Sequence, residues 1–114
     1  MAQRLPKQIV SGAQWTASAA TYYATPTNTL TTISAMTLCN TTAEAVTATV
    51  YLVPSGGTAG ADNTVLSARS LAAGESYNVS GAIGQTIPAG STVQALAGSA
   101  TSITLVASGY ETNP

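Results

Sequence analysis

The stretch Ala45-Val46-Thr47-Ala48-Thr49-Val50-Tyr51-Leu52-Val53 alternates apolar and polar side chains almost without interruption. In extended backbone, successive side chains point to opposite faces, so the spacing predicts a strand. Val46, Ala48, Val50 and Leu52 are expected inward, and Thr47, Thr49 and Tyr51 outward. A helix does not compete, because Thr and Val are interleaved with the alanines and their stiff β-branched side chains favour extended backbone.

Upstream, Thr29 to Asn40 places Leu30, Met36 and Leu38 on one parity but Ile33 and Cys39 on the other. That mixture predicts a bulge, or burial of both faces. Downstream, Val65 to Leu71 and Ser76 to Val79 read as shorter strands around the turn-like Ala72-Ala73-Gly74-Glu75. Thr92 to Ala97 and Thr101 to Tyr110 flank Gly98-Ser99-Ala100 and read as a hairpin, with Ile103, Leu105 and Ala107 sharing one face. Pro88-Ala89-Gly90 marks another turn, and Pro54 to Asn63 is the longest flexible loop. Short strands with frequent turns predict an all-β fold: a single antiparallel β-sandwich, Ig-like or jelly-roll-like, over residues 21–114.

Residues 1–20 contain few large apolar side chains and are read as an extended N-terminal arm. Two of the three cations, Arg4 and Lys7, lie there, as does the only tryptophan, Trp15. Arg4, Lys7, Trp15, Tyr22 and Tyr23 are the candidate interface residues. The competing reading has Trp15 capping the core of its own domain at a frayed terminus.

The charge balance narrows function further. In 114 residues there are three Lys or Arg, four Asp or Glu, one Cys and no His. Average usage would supply about 28 charged residues. Without His, the chain by itself builds neither a Ser-His-Asp triad nor a Cys-His pair, and an ordinary His or Cys zinc site is equally out of reach. A net charge of -1 argues against a nucleic-acid partner, whose phosphates are bound through Lys and Arg. A folded chain of this size exposes about 5,700 Å², or one charge per roughly 800 Å², the area a standard interface buries on each partner. Packing partners onto such patches desolvates few ions, which suits assembly. The alternative is a surface adequately solvated by hydroxyls and amides alone. With no Phe and many Ala, the core is expected to be thin.

No stretch reads as a signal peptide or membrane span, and Cys39 has no second cysteine to pair with. The sequons at Asn40-Thr41-Thr42 and Asn78-Val79-Ser80 are expected by chance in a Thr-rich chain. No catalytic residue, cofactor or metal site is expected. Glu44, Glu75 and Glu111 are the carboxylates a glycosidase-like reading would pair, but they sit in turns or at the tail, where solvated carboxylates are normal. Asp62 and Asn63 lack the spaced acidic residues of a calcium loop, and Gly56 to Gly60 lacks the Lys-Ser/Thr of a phosphate loop. Trp15, Tyr22 and Tyr23 could stack on sugars, which keeps a receptor- or carbohydrate-binding module as the alternative function.

Thr29 to Thr42, followed by Ala45 to Pro54, resembles small β-sandwich virion proteins of tailed bacteriophages. Asp62-Asn63-Thr64-Val65-Leu66, Leu71-Ala72-Ala73-Gly74-Glu75-Ser76, Ile87-Pro88-Ala89-Gly90-Ser91 and Val106-Ala107-Ser108-Gly109-Tyr110-Glu111 follow in the same order. The resemblance implies a non-enzymatic particle component, either a head decoration or cement protein or a neck, tail or fibre-associated subunit. It would be made in the bacterial host cytoplasm and reside in the virion. The expected partners are further copies of itself, as a homotrimer or other homo-oligomer, and major capsid or other virion proteins, with no nucleic acid and no membrane.

Overall fold

The computed structural model describes residues 3–99 and 102–113. Nine strands follow one another: β1 (Gln3–Gln14), β2 (Ala20–Ala24), β3 (Leu30–Asn40), β4 (Val46–Val53), β5 (Thr64–Leu71), β6 (Ser76–Asn78), β7 (Thr86–Ile87), β8 (Thr92–Ala97) and β9 (Ile103–Asn113). A single 3-10 turn, Ala61–Asn63, precedes β5. One sheet has the order β1-β9-β3-β6, with β7 also paired to β3; the other has the order β2-β8-β4-β5. Every pairing is antiparallel.

The pairings nest. β1 pairs β9, β2 pairs β8, β3 pairs β6 and β7, and β4 pairs β5. This is one long antiparallel ribbon, closed at the β4–β5 connection and wrapped so that its segments fall in two facing sheets. Of consecutive strands only β4 and β5 are neighbours in a sheet, whereas an immunoglobulin sandwich keeps several consecutive strands side by side. The sandwich is therefore a jelly roll.

The same topology corrects two expectations. β8 and β9 do not form a hairpin; they lie in opposite sheets. Both strands alternate buried and more exposed residues, so the pattern read as a hairpin is met equally well by two strands facing each other through the core. The stretch read as an arm is instead β1, hydrogen-bonded to β9 from Gln3 opposite Asn113 to Gln14 opposite Thr104. An edge strand needs backbone bonds along one side and few apolar anchors. Ile9, Val10 and the following Trp15 supply them.

Strands β3 and β4 show where simple alternation holds. Val46, Ala48 and Val50 are buried as expected, Leu52 is half-buried and Val53 is buried. Thr49, expected outward, is also buried. There β5 bulges: Ala68 adopts φ 44, and its N–H donates to Thr49 Oγ1 at 3.0 Å, which satisfies a backbone donor removed from the ladder. In β3 the register against β9 shifts between Ile33 and Ala35. This bulge puts Ile33 inward with Met36 and Leu38, and leaves Leu30 outside.

The core comprises Trp15, Ile33, Met36, Leu38, Val50, Leu71, Val79, Val93, Ile103 and Leu105, interleaved with Ala48, Ala82, Ala95, Ala97 and Ala107. Alanine thus fills space between the sheets rather than merely raising apolar content. Asn40, fully buried, ties the far end together. Its Nδ2 donates to the carbonyls of Glu44 (2.7 Å), Leu71 (3.1 Å) and Ala72 (3.2 Å), and its Oδ1 accepts from Thr42 N and Oγ1. Its amide nitrogen is thus committed inside the fold, away from any glycosylating enzyme. We predict that Asn40→Ala lowers stability by about 2–3 kcal/mol, because removing one side chain takes the donor from the buried Leu71 carbonyl and from the partly buried carbonyls of Glu44 and Ala72. Urea denaturation with an unchanged m value checks this; a shift below about 1 kcal/mol would contradict the role.

Candidate interaction surface

The outer face of the β1-β9-β3-β6 sheet is built by alternation. On β9, Ile103, Leu105, Ala107 and Gly109 point inward, so Thr104, Val106, Ser108 and Tyr110 point out. Register places Thr37 beside Val106, Thr32 and Pro6 beside Tyr110, and Gln8 beside Ser108. Asn78 on β6 extends the face, its Oδ1 accepting from Thr37 Oγ1 at 3.2 Å. Among the described side chains this face carries no Asp, Glu, Lys or Arg. The bulges in β1 and β3 open a hollow of about 390 Å³ in it, lined by Pro6, Gln8, Ser34, Ser108, Gly109 and Tyr110.

The large exposed hydrophobic residues gather on the same side. Val106 (42% exposed) and Leu30 (39%) stand on this face, and Ile83 (43%) lies on the β6–β7 connection. That connection is laced to β3 by Gly84 N donating to Ile33 O and Ile33 N to Gln85 O. The opposite sheet's outer surface offers Thr47 and Ser70, while Arg69, opposite the inward Ala48, turns its guanidinium to 4.4 Å from the Tyr77 ring centroid and bridges the two sheets along one side.

The candidate interface residues are placed differently from expectation. Trp15 is completely buried, its ring centroid 6.1 Å from that of Tyr22. Tyr23 is buried too, its hydroxyl shared with Thr31 Oγ1 (2.8 Å) and donated to Glu111 Oε2 (2.5 Å). Neither ring presents a surface to a partner, because both close the β1–β2 side of the core. Tyr22 is half-buried, its hydroxyl accepting from Thr16 N at 3.2 Å. Arg4 and Lys7 fall on β1, opposite Thr112 and Gly109, and their side chains lie outside the described residues. Sequence reading missed Val106 and Tyr110, although the alternation within β9 that put Ile103, Leu105 and Ala107 on one face implied the other face as well.

Burial pushes the Tyr23 phenol up to about 12, reinforced by its hydrogen bond to Glu111. The folded state therefore holds this proton more tightly than the unfolded chain, whose phenol titrates near 10. Stability from the neutral phenol is complete below pH 10 and falls as pH rises toward 12. We predict that Tyr23→Phe flattens the alkaline fall in stability between these limits. Thermal melts of both proteins across that range check it, and parallel curves would contradict it.

No chemistry-bearing cluster competes with the surface. Among the described residues, no group of three or more Cys, Asp or Glu converges. Glu111 sits on β9 beside Thr31 at one end of β3, whereas the backbones of Glu44 and Glu75 are bonded to Asn40 at the other. The two ends are roughly 30 Å apart at strand rise, which puts Glu111 beyond glycosidase spacing from either of the other two carboxylates. The Glu75 carboxylate caps its own turn by accepting from Ala72 N at 2.7 Å. Asn63 folds its loop through Gly60 N and Thr58 O. An apolar pocket of about 160 Å³ between Leu52, Pro54, Ile87 and Pro88 contains no titratable group.

No protein-family model and no curated protein matches the chain. Solved structures do. A chain of the Gt strain of infectious bursal disease virus superposes with a TM-score of 0.50 at 13% identity, over 97% of this chain and 32% of the other. A chain of the T13 particle of the same virus gives 0.51 at 9% identity, over 98% and 30%. At these identities the likeness is one of fold, and it lies with this virus rather than with a tailed bacteriophage. The chain shares the jelly roll of virion structural proteins from an icosahedral virus, and it spans about a third of the length of the chains it matches.

Proposed function

We propose that this protein is a non-enzymatic structural subunit of a virion, working through neutral surface contact rather than reactive side chains. The observation that carries the reading is the outer face of the β1-β9-β3-β6 sheet, uncharged among its described side chains, on a jelly roll of the kind found in virus particles. The accessible surface is 5725 Å² for seven charged residues in the sequence, so a partner covers large areas without stripping water from ions. Taken with the sequence resemblance, the reading is a capsid decoration or cement subunit of a tailed bacteriophage. It would act as a homotrimer or other homo-oligomer on the major capsid or another virion protein, and be made in the bacterial cytoplasm before joining the particle. The carbohydrate-binding alternative loses its motive, since two of the three aromatic rings that suggested it are in the core.

The test is co-sedimentation of the full chain with purified particles that lack it. Saturable binding that persists at 0.5 M salt, roughly, is expected of a neutral contact, because charge pairs are screened at that ionic strength. No binding to heads or tails of the source phage overturns the reading. The full chain is required: removing the first residues strips β1 from β9 and uncovers the core around Ile9, Val10 and Trp15.

A further inference from the structure

We propose that the outer face of the β1-β9-β3-β6 sheet is where a second copy of this chain packs, face against face, about a two-fold axis. The inference rests on the assembly reading above and names the surface that serves it.

Sheet extension is the obvious competitor, and the edges argue against it. β1 carries Pro6 and two register shifts along its length. β5 is broken by shifts opposite Ala48 to Tyr51, with Ala68 in the left-handed region. β2 has five residues and a shift of its own, and β6 has three. Bulges, proline and shortness are the devices that stop strands pairing edge to edge.

The β1-β9-β3-β6 face has the features of a self-complementary contact. Val106 stands proud of it, and the hollow framed by Pro6, Gln8, Ser108 and Tyr110 lies two residues along β9 from Val106, about 7 Å at strand rise. A two-fold axis between knob and hollow seats each copy's Val106 in the other's hollow, as an isologous contact requires. A partner bearing charge would have its ions desolvated here without counterions among the described side chains, whereas a second copy of the same face brings mainly hydroxyls and amides, which lose less on burial than ions do. Strands β1, β9 and β3, of 12, 11 and 11 residues, with the short β6 and β7 beside them and about 4.8 Å between neighbours, give roughly 600 Å² per copy. The total, about 1,200 Å², is at the lower bound of specific interfaces and implies a dissociable association rather than an obligate one.

Sedimentation velocity on the purified chain from about 1 to 200 μM tests this, with Val106→Glu as the variant and Thr21→Glu, exposed on the other sheet, as the control. The expected result is reversible association of the native chain and of Thr21→Glu, weakened at least tenfold in Val106→Glu with an unchanged circular dichroism spectrum. A second measurement needs no variant. Cys39, the only cysteine, is half-buried on this face opposite Thr104, and its alkylation by iodoacetamide should slow several-fold above the association midpoint. A native chain that stays monomeric to 200 μM overturns the proposal, as do equal association of Val106→Glu and native chain, or concentration-independent alkylation. If particles still bind the chain in those cases, the assembly reading stands without this face; failure of both assays removes both.

Discussion

Replacing Gly109 with alanine is expected to remove about 3–5 kcal/mol of stability, a large share of what a domain of this size possesses. Gly109 is buried at the middle of the β1-β9-β3 ladder, opposite Lys7 on one side and Ile33 on the other. A Cβ there would overlap the carbonyl oxygen of Thr32 and come within 2.8 Å of Ile9 Cδ1. The isoleucine is able to rotate away, but the carbonyl belongs to the strand backbone and is pressed toward Gly109 where β3 bulges between Ile33 and Ala35. Relief therefore requires the two strands to part, which breaks ladder hydrogen bonds on both sides of the bulge. Gly74→Ala is the matched comparison. Gly74 has φ 72 with open space around its missing Cβ, so alanine there suffers only the left-handed conformational penalty, about 1–2 kcal/mol. Urea titrations of both variants decide the matter: equal losses would mean that close approach of β3 is not what reserves position 109 for glycine.

That bulge also explains how far the fold was legible in the sequence. The mixed parity of Leu30, Ile33, Met36 and Leu38 left a bulge or burial of both faces open, and the structure has a bulge, between Ile33 and Ala35. Strand β4 and the turns at Gly74 and Gly90 were readable because alternation and left-handed glycine leave local marks. The assignment of strands to sheets was not local. A hairpin and an arch across the core both need a short polar connection and two alternating strands, so 98–102 alone does not decide between them. Nor does composition reveal β1, whose place depends on backbone bonds to β9 almost a hundred residues away. The candidate surface was half visible. Charge scarcity announced a neutral surface, yet only the pairing of β1, β3 and β9 brings Pro6, Thr32, Val106 and Tyr110 onto one face.

Trp15→Ala separates the two roles that sequence alone allowed this residue. As an anchor for a partner it would be exposed in the free chain, and truncation would weaken binding while leaving stability nearly unchanged. The structure has it fully buried where the chain leaves β1, its backbone N–H donating to Ile103 O at 2.9 Å, beneath Tyr22 and among the core side chains. Truncation there opens a cavity that the surrounding strands, held by ladder bonds, cannot fully close. The expected loss is about 3–5 kcal/mol, the range for buried aromatic-to-alanine changes. Phenylalanine should behave quite differently. Trp15 Nε1 is buried with no hydrogen-bond partner among the described residues, a desolvation that costs about 1–3 kcal/mol. Trp15→Phe removes that unpartnered donor while retaining an aromatic ring, so the loss of packing volume is partly offset and the net change should stay below about 1.5 kcal/mol. The ratio of the two effects is the diagnostic quantity, measured by thermal and urea unfolding of both variants. A hydrogen-bonded indole would make phenylalanine nearly as damaging as alanine, and an exposed one would make both harmless. Only a dry, tightly enclosed and unpaired indole gives a large first effect with a small second.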